Sequence, residues 1–462
     1  MKNMTKHPLR ITLDALKRAF LFEGFELFDN GESPELVLTG TDVKVFENPD
    51  AVKKPVLLMD GRYALRTQLL PYVLPRMDHG PAKGSKEIRA AASGKIFDGE
   101  DAKYPAHMKV EGVIASDMNF YDMRMLWKRI VRGALGAAYE TELVKVGEEK
   151  KAAVMASWGN SAMAETTLYE PLTWQIQVKD PDGCEYVLGH LGTMNWMGAA
   201  LLGRPGREAA CYAFSIDAGL AACRWLGIEN PETLYSNSQE VLSAYQDGSV
   251  SASTAFEDRC RDILRTMGYS EGYGPKLYPD GIYKKMNMIQ DEWDLNNKGV
   301  PLKESLGGNT GLPTVLTPAI EQILSEKWEA GETRARAFEI SHIFVPRAGG
   351  SPIEKLALSF GAYGDGMNIQ TFTEEVSSFL TKIGNKNHFF IPTNLAIAYN
   401  VRECRLILDE KMSYLDGNFG GISEKAEKNF GIGTHAFMAN LELGTLEKKA
   451  KEEYGYIPPE LR

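Results

Sequence analysis

The chain is short of cysteine and lacks the cysteine pairs that stabilise small secreted domains. Its 462 residues include five cysteines, an odd number with no C-x-x-C pair, at positions 184, 211, 223, 260 and 404. Isolated thiols of this kind are typical of a reducing compartment, where cysteine acts as a small buried residue. We therefore expect a cytoplasmic protein without disulfides.

Long apolar runs are missing as well. The opening MKNMTKHPLR does not contain the apolar segment of a signal peptide. No run in the chain reaches the roughly 18 apolar residues that a membrane-spanning helix needs. The sequence therefore predicts that the protein has no membrane partner.

Basic residues are outnumbered by acidic ones. The chain has 52 lysines and arginines against 62 aspartates and glutamates, which gives a net charge of −10. Because nucleic-acid binding begins with a basic surface, this balance predicts no nucleic-acid partner. The chain also lacks the P-loop, G-x-S-x-G and H-E-x-x-H motifs, and FGIGTH (430–435) lacks the strand–glycine–helix context of a nucleotide-binding loop.

The chain does contain an internal repeat. Three pieces recur in the same order, at offsets of 244, 243 and 247 residues. They are the helix-like stretches 11–28 and 256–271 with a glycine near their ends, the segments 67–74 and 310–316, and the pairs Arg89-Ala90 and Arg336-Ala337. Three matches in one order predict a duplicated fold. We place the boundary near residue 245, in a segment of glycine and serine, so that the domains are 1–245 and 246–462.

Several segments between the repeated pieces alternate between apolar and polar residues. They are LTWQIQV (172–178), EYVLGHL (185–191) and HAFMANLEL (435–443). Alternation of this kind predicts β-strands, and KDPDGCE (179–185) predicts a hairpin loop between two of them. We therefore expect each half to be an α+β unit, in which a helix precedes a mostly antiparallel sheet with helices packed on one face.

These pieces resemble the phenylalanyl-tRNA synthetases, a family of class II aminoacyl-tRNA synthetases. The first half resembles the catalytic α subunit in EGFELF (23–28), LRTQLLP (65–71), GKIFDGEDAKYPAHMKVEG (94–112) and YAFSIDAGLAACRWLGI (212–228). The second half resembles the catalytic-like module of the β subunit in FEDRCRDILRTMGY (256–269), LPTVLTPAIEQIL (312–324) and FEISHIFVP (338–346). The resemblance implies two tandem class II synthetase-like units, each an antiparallel sheet flanked by helices.

The resemblance also implies how the chain is organised as a whole. Because the family pairs an α with a β subunit, one chain that carries both halves implies a gene fusion. We expect a homodimer that imitates the family's (αβ)₂ assembly. We also expect a bare catalytic core, without the family's coiled coil, editing domain or anticodon-binding domain.

The resemblance places a former ATP site in the first half. In the family, two arginines hold the phosphates of ATP, and their places fall on Asp98 and Leu220. The residues of the former ATP site are Lys95, Asp98, Glu100 and Leu220. Asp98 and Asp217 would face the phosphates, and like charges about 4 Å apart repel by about 4 kcal/mol at an effective dielectric constant of 20. Binding of ATP and magnesium is therefore disfavoured, unless an arginine from elsewhere, for example Arg124 or Arg129, enters the cleft.

The amino-acid end of the implied site keeps more of the family's chemistry. Glu111 takes the place of the glutamate that contacts the substrate's amino group, whereas Lys109 and Gln68 replace two of its neighbours. The candidate substrate-binding residues are Glu111, Lys109, Gln68, His107, Trp174, His190, Ser215 and Asp217. Lys109 would suit an acidic group on the ligand.

Each of these residues also has a structural alternative. Glu111 could pair with Lys109 or Lys95, because alternate residues of a strand share one face. His107 and His190 could be hydrogen-bonded structural residues. Trp174, with Tyr212 and Phe214, has the spacing of core or pocket wall.

The acidic stretch Asp98, Glu100 and Asp101 has the composition of a hard-metal site but is more typical of a solvated loop. We predict no metal.

The resemblance implies a synthetase-like paralogue that does not charge tRNA. It would bind or transform an amino acid or a related small metabolite in the old amino-acid pocket. The alternative is an ATP-dependent ligase that activates a carboxylate and joins an amino acid to a non-tRNA acceptor. The sequence identifies no catalytic residue, and it is compatible with both an enzyme and a regulatory binding protein.

Overall fold

The chain forms two compact units. The computed structural model describes residues 7–28, 34–38, 56–59, 61–70, 87–99, 101–146, 174–194, 196–204, 210–237, 256–287, 299–347, 351–364, 366–393, 401–409 and 414–454. One unit is Leu9–Pro231, and the other comprises Glu232–Arg462 with Met1–Pro8. The boundary near residue 245 and the candidate residue Glu100 lie outside the described residues, so both stay predictions.

The first unit is built around one large sheet. Its helices are Pro8–Phe22 (α1), Phe120–Leu135 (α2), Trp196–Leu201 (α3) and Ala218–Leu226 (α4). Its strands are Glu26–Phe28 (β1), Leu36–Leu38 (β2), Tyr63–Leu65 (β3), Ile88–Phe97 (β4), Ala106–Ala115 (β5), Glu140–Lys145 (β6), Trp174–Lys179 (β7), Glu185–Thr193 (β8) and Cys211–Asp217 (β9). The sheet has the order β1-β4-β5-β9-β8-β7-β6, and β2 pairs separately with β3. A 3-10 helix, Pro231–Tyr235, follows α4.

The second unit is built in the same way. Its helices are Phe256–Thr266 (α5), Ile282–Lys285 (α6), Thr317–Glu329 (α7), Ile369–Ile383 (α8), Glu424–Phe430 (α9) and Leu443–Tyr454 (α10). Its strands are Ser270–Glu271 (β10), Tyr278–Pro279 (β11), Val300–Leu306 (β12), Asn309–Leu312 (β13), Ala335–Val345 (β14), Ile353–Tyr363 (β15), His388–Pro392 (β16), Val401–Asp409 (β17), Tyr414–Ile422 (β18) and Ala436–Glu442 (β19). The large sheet has the order β10-β14-β15-β19-β18-β17-β16.

The two large sheets correspond strand for strand. In each, the strand after the first helix is parallel to its neighbour, with Glu26 opposite Ala90 in one unit and Ser270 opposite Ala337 in the other. All other neighbours in the two sheets run antiparallel. The predicted α+β fold is therefore confirmed, with sheets that helices flank.

The repeated glycines have a conformational reason. Gly24 and Gly268 follow α1 and α5 with φ angles of 78° and 89°, the left-handed region that favours glycine. Such a residue ends a helix and turns the chain into the next strand. The corresponding glycines in the two repeated pieces therefore mark the same helix-to-strand turn in both units.

The core of the first unit lies between the sheet and the helices α1, α2 and α4. In α1 the buried side chains Leu13, Leu16 and Phe20 recur at intervals of three and four residues, which places them on one helix face. Phe20 stacks on Phe214 of β9 at 5.3 Å, and Trp127 of α2 meets Phe214 edge-on at 5.0 Å. Full burial of each such side chain contributes about 1.5–3 kcal/mol.

Helices cover both faces of the second sheet. Helices α5, α8 and α10 pack on the face that includes Phe338 and Phe360. Helix α7 packs on the other face, where Ile320 and Ile323 meet Ala337. In the first unit, Ala199 of α3 packs with Val113 and Ala213 on the face opposite to α1 and α2, so the prediction of helices on one face is wrong for both units. In the part of the chain that the structure describes, no helix is both long and apolar enough to cross a membrane.

A methyl group added at Gly112 tests the packing of the first sheet. A Cβ atom there would lie 2.3 Å from the Ala90 carbonyl oxygen and 2.5 Å from Phe214 Cζ, so backbone or ring must move. We expect Gly112→Ala to lower the free energy of unfolding by about 1–3 kcal/mol in urea denaturation. Gly133→Ala in α2 is the control, because its Cβ would be 3.4 Å from Ala19 Cβ and alanine favours helix. Equal stability of the two variants would contradict the packing.

Candidate functional site

A row of polar side chains crosses four strands of the first sheet. Glu111 of β5 is opposite Ser215 of β9, Ser215 is opposite His190 of β8, and His190 is opposite Gln175 of β7. Opposite residues of antiparallel strands share a face and have Cβ atoms about 4.5–5.5 Å apart. We call Glu111, Ser215, His190 and Gln175 the polar row, and the face that carries them the polar face.

The polar face is opposite to the face that packs on α1 and α2. Val110, Phe214 and Ile216, which alternate with the polar residues, belong to the helix-covered core. On the polar face, an apolar cluster around Val113 and Ala213 covers one part of the sheet. The side chains of the polar row other than Glu111 are half-buried, so they border solvent.

Glu111 is the most buried member of the row, with 4% of its surface exposed. Its Oε2 accepts hydrogen bonds from the backbone N–H groups of Leu69 (2.8 Å) and Leu70 (3.3 Å). Its Oε1 accepts a hydrogen bond from Ser215 Oγ at 3.3 Å. Glu111 therefore connects the backbone of Leu69 and Leu70 to the sheet. Gln68, which precedes these two residues, is half-buried.

Lys109 and Asp217 lie on the polar face two residues beyond Glu111 and Ser215. They are opposite each other across β5 and β9, and both are half-buried. Asp217 Oδ1 accepts a hydrogen bond from the backbone N–H of Leu220 at 2.8 Å, which caps the start of α4. Leu220 itself packs against the core, so its side chain has a structural role.

His190 is held in its neutral form. Burial lowers its pKa from 6.5 to about 4, and the nearby positive charge of Lys109 adds to the effect. Both causes disfavour a second proton on the ring. At neutral pH the polar row therefore offers an uncharged imidazole, able to donate and to accept a hydrogen bond.

Two predicted site residues lie away from this row. Trp174 is opposite Leu191 and packs on the helix-covered face beside Phe120 and Tyr212, so it is not placed with the polar row. His107 shares the polar face with Lys109 but lies beside Asp101, with Nε2 3.4 Å from Oδ2. Trp174 is therefore a residue of the core wall, because it points to the same face of β7 as the buried residues Ile176 and Val178.

Lys95 of the former ATP site is committed to an internal ion pair. Its Nζ lies 3.0 Å from Oε1 of Glu35, and both side chains are nearly buried. The Arg66 guanidinium donates to the Lys95 carbonyl oxygen at 2.7 Å and to that of Pro34 at 3.1 Å. The alternative in which Lys95 pairs with Glu111 is therefore wrong, because Glu35 takes that lysine.

The loop that joins β4 to β5 carries the acidic residues. Asp98 is half-buried at its start, and its backbone N–H donates to the carbonyl oxygen of Pro105. Asp101 Oδ1 accepts hydrogen bonds from the backbone N–H groups of Lys103 (3.1 Å) and Tyr104 (2.8 Å), which shape the loop. Among the described residues, no group of three or more His, Cys, Asp or Glu side chains is placed to hold a metal ion.

Arg124 and Arg129 are engaged on α2. Arg124 pairs with Glu142 at 3.3 Å, and Arg129 pairs with Glu23 at 2.9 Å. Helix α2 packs on the face of the sheet opposite to the polar face. Arg224, in the last turn of α4, lies over the ring of Tyr186 at 5.6 Å.

The corresponding strands of the second unit carry a polar row whose members bind one another. Ser359 of β15 is opposite Asn440 of β19, which is opposite Asn418 of β18. Ser359 Oγ is fully buried and donates to Asn440 Oδ1 at 2.8 Å, and Asn440 Nδ2 donates to Asn418 Oδ1 at 3.4 Å. Thr317 of α7 adds a hydrogen bond to Asn440 Oδ1 at 3.2 Å. This row is closed by its own contacts and by α7.

An acidic residue beside that row is also internally neutralised. Glu339 is opposite Ser359, is 2% exposed, and forms an ion pair with Lys276. Its Oε2 also accepts a hydrogen bond from the backbone N–H of Gly274 at 3.0 Å. At this position of the second sheet, the carboxylate of Glu339 is therefore already bound within the protein.

Parts of this chain are similar to known proteins. The family profile described as phenylalanyl tRNA synthetase beta chain CLM domain matches residues 241–443. Phenylalanine–tRNA ligase alpha subunits from three strains of Clostridium perfringens are 28% identical to the chain over 142 residues. That match covers 30% of this chain and 40–41% of those proteins, so the chain spans well under half the length of these relatives. The structure of Desulfitobacterium hafniense PylSc, a pyrrolysyl tRNA synthetase, matches at 15% identity and a TM-score of 0.35, over 43% of this chain and 68% of that one.

The matches to the beta-chain profile and to the alpha subunits make this an aminoacyl-tRNA synthetase-like protein. More particularly, the chain is phenylalanyl-tRNA synthetase-like, since residues 241–443 match the beta-chain domain and 142 residues are similar to the alpha subunit. The resemblance first seen in the motifs is therefore confirmed.

The pKa of His190 can be measured by NMR on protein with ¹⁵N-labelled histidine. We expect its ring to titrate near pH 4, and Lys109→Gln to raise that pKa only part of the way towards 6.5, because burial is the larger cause. The low folded pKa also means that stability falls as the pH drops from 6.5 towards 4. Lys145→Gln, on exposed β6, is the charge-matched control. Titration of His190 near 6.5 in the wild-type protein would contradict the site geometry.

Proposed function

We propose that the chain is a class II synthetase-like paralogue that does not charge tRNA. In this proposal the polar face of the first unit binds an amino acid or a related small metabolite. The observation that carries the proposal is the contrast between the two sheets. In the first, Lys109, His190, Ser215 and Asp217 border solvent on one face, whereas in the corresponding row of the second Ser359 is buried and Ser359, Asn440 and Asn418 bind one another.

The surroundings of the first sheet argue against a phosphate site of the usual kind. The phosphates of ATP need cations, for which arginine is well suited because its guanidinium forms paired hydrogen bonds. Lys95 is neutralised by Glu35, and Arg66 is buried against carbonyl oxygens. Arg124 and Arg129 pair with glutamates on the other side of the sheet. This arrangement supports a ligand without a triphosphate.

We further propose that the protein is cytoplasmic, binds no nucleic acid and forms a homodimer. The five free thiols, four of them buried, support a reducing cytoplasm. The net charge of −10 supports the absence of a nucleic-acid partner. A homodimer, implied by the resemblance, stays a proposal that light scattering on the purified chain would test.

Two measurements on the purified protein separate this function from an ATP-dependent ligase. We expect no exchange of labelled pyrophosphate into ATP with any standard amino acid, because Lys95, Arg124 and Arg129 are paired with glutamates. In thermal-shift assays we expect at least one amino acid to raise the melting temperature and ATP with magnesium to leave it unchanged.

Amino-acid-dependent exchange above a boiled-protein control would overturn the proposal in favour of the ligase. A melting temperature that no amino acid raises would also contradict it, because binding to the folded state must add stability.

A further inference from the structure

The resemblance assigns the ligand's amino group to Glu111, but the structure gives this carboxylate another task. Two backbone N–H groups and the hydroxyl group of Ser215 already donate to it. A carboxylate offers about four acceptor sites, so three of them are occupied. Because Glu111 is also 4% exposed, a ligand ammonium would have to compete inside the protein with contacts that hold the chain at Leu69 and Leu70.

Lys109 and Asp217 present the opposite situation. They are register partners on β5 and β9, and both are half-buried on the polar face. Opposite charges at such positions often form a cross-strand pair. Neither side chain, however, lies within 4 Å of an oppositely charged group among the described residues. Asp217 uses Oδ1 for the cap of α4, and its Oδ2 accepts no hydrogen bond from the described part of the chain.

Two neighbours of this pair on the polar face, His190 and Ser215, are uncharged. His190 is neutral, because burial and the positive charge of Lys109 lower its pKa. Ser215, between His190 and Glu111, is uncharged. A ligand that reaches this point therefore meets one cation and one carboxylate oxygen, which belong to register partners on β5 and β9.

The chemistry that fits two such groups is a molecule with adjacent opposite charges. In a free α-amino acid, the ammonium and carboxylate groups are attached to the same carbon atom. We infer that Lys109 Nζ binds the carboxylate and Asp217 Oδ2 binds the ammonium group of a free α-amino acid, in place of Glu111. This inference rests on the proposed function and names the ligand class and the two residues that recognise it.

The experiment pairs variants of the protein with variants of the ligand. The probes are the standard L-α-amino acids and, for the one with the largest thermal shift, its 2-hydroxy acid and its decarboxylated amine. Dissociation constants come from isothermal titration calorimetry. The variants are Asp217→Asn, Lys109→Gln and Glu111→Gln, and the controls are Asp182→Asn and Lys145→Gln on exposed positions of the same unit.

We expect Asp217→Asn to weaken amino-acid binding by about tenfold to a hundredfold, which is the range of one charged hydrogen bond. The loss should disappear for the 2-hydroxy acid, which has no ammonium group to lose. Lys109→Gln should weaken binding of the amino acid in the same range but leave binding of the amine unchanged. Asparagine is as good a helix cap as aspartate, so Asp217→Asn should keep the urea midpoint of the wild-type protein.

Two other results would overturn the inference in different ways. If Glu111→Gln, and not Asp217→Asn, removes the preference for the amino acid over its 2-hydroxy acid, the ammonium group binds Glu111 and the proposed function survives alone. If the wild-type protein binds no amino acid, the proposed function fails and the inference fails with it. If Asp182→Asn and Lys145→Gln weaken binding as much as the site variants, the effect comes from overall charge, and Lys109 and Asp217 are not the recognition pair.

Discussion

The register of β5 against β9 is the constraint on which the site depends. It places Glu111 opposite Ser215 and Lys109 opposite Asp217. A shift of one residue would turn each of these side chains towards α1 and α2, and would expose Val110 and Phe214 instead. The aromatic contacts of Phe214 with Phe20 and Trp127 therefore stabilise the core, and they also keep the charged residues on the polar face.

The two units show how one architecture can have a closed and an open version of the same surface. In the second, Ser359, Asn440 and Asn418 bind one another and Thr317 of α7 binds Asn440, so the buried hydroxyl group of Ser359 has a hydrogen-bond partner. In the first, Glu111 is satisfied internally, but Lys109, His190 and Asp217 keep capacity to bind. This difference between the two units is what supports the proposal of a ligand on the first sheet.

Much of the fold could be predicted from the sequence, because it depends on local patterns. The glycines at 24 and 268 predicted the ends of two helices, and period-two alternation predicted β7, β8 and β19. The same alternation places Trp174 and Gln175 on opposite faces, but the family motifs do not indicate Gln175, which is a member of the polar row. The spacing of Gln175 and Gln177 between apolar residues was the available signal.

The partners within the site could not be predicted, since they come from distant parts of the chain. Glu111 is bound by amides 41 and 42 residues away, and nothing in a local motif indicates backbone donors. Lys95 pairs with Glu35 through the tertiary fold, and the low pKa of His190 arises from burial. Binding of a ligand to the first sheet is tested most directly by hydrogen exchange measured by mass spectrometry, with and without a bound L-α-amino acid. We expect slower exchange in peptides that contain β5, β8 and β9 and unchanged exchange in peptides that contain β15, β18 and β19. Protection of the second set alone, or of neither, would contradict binding to the first sheet.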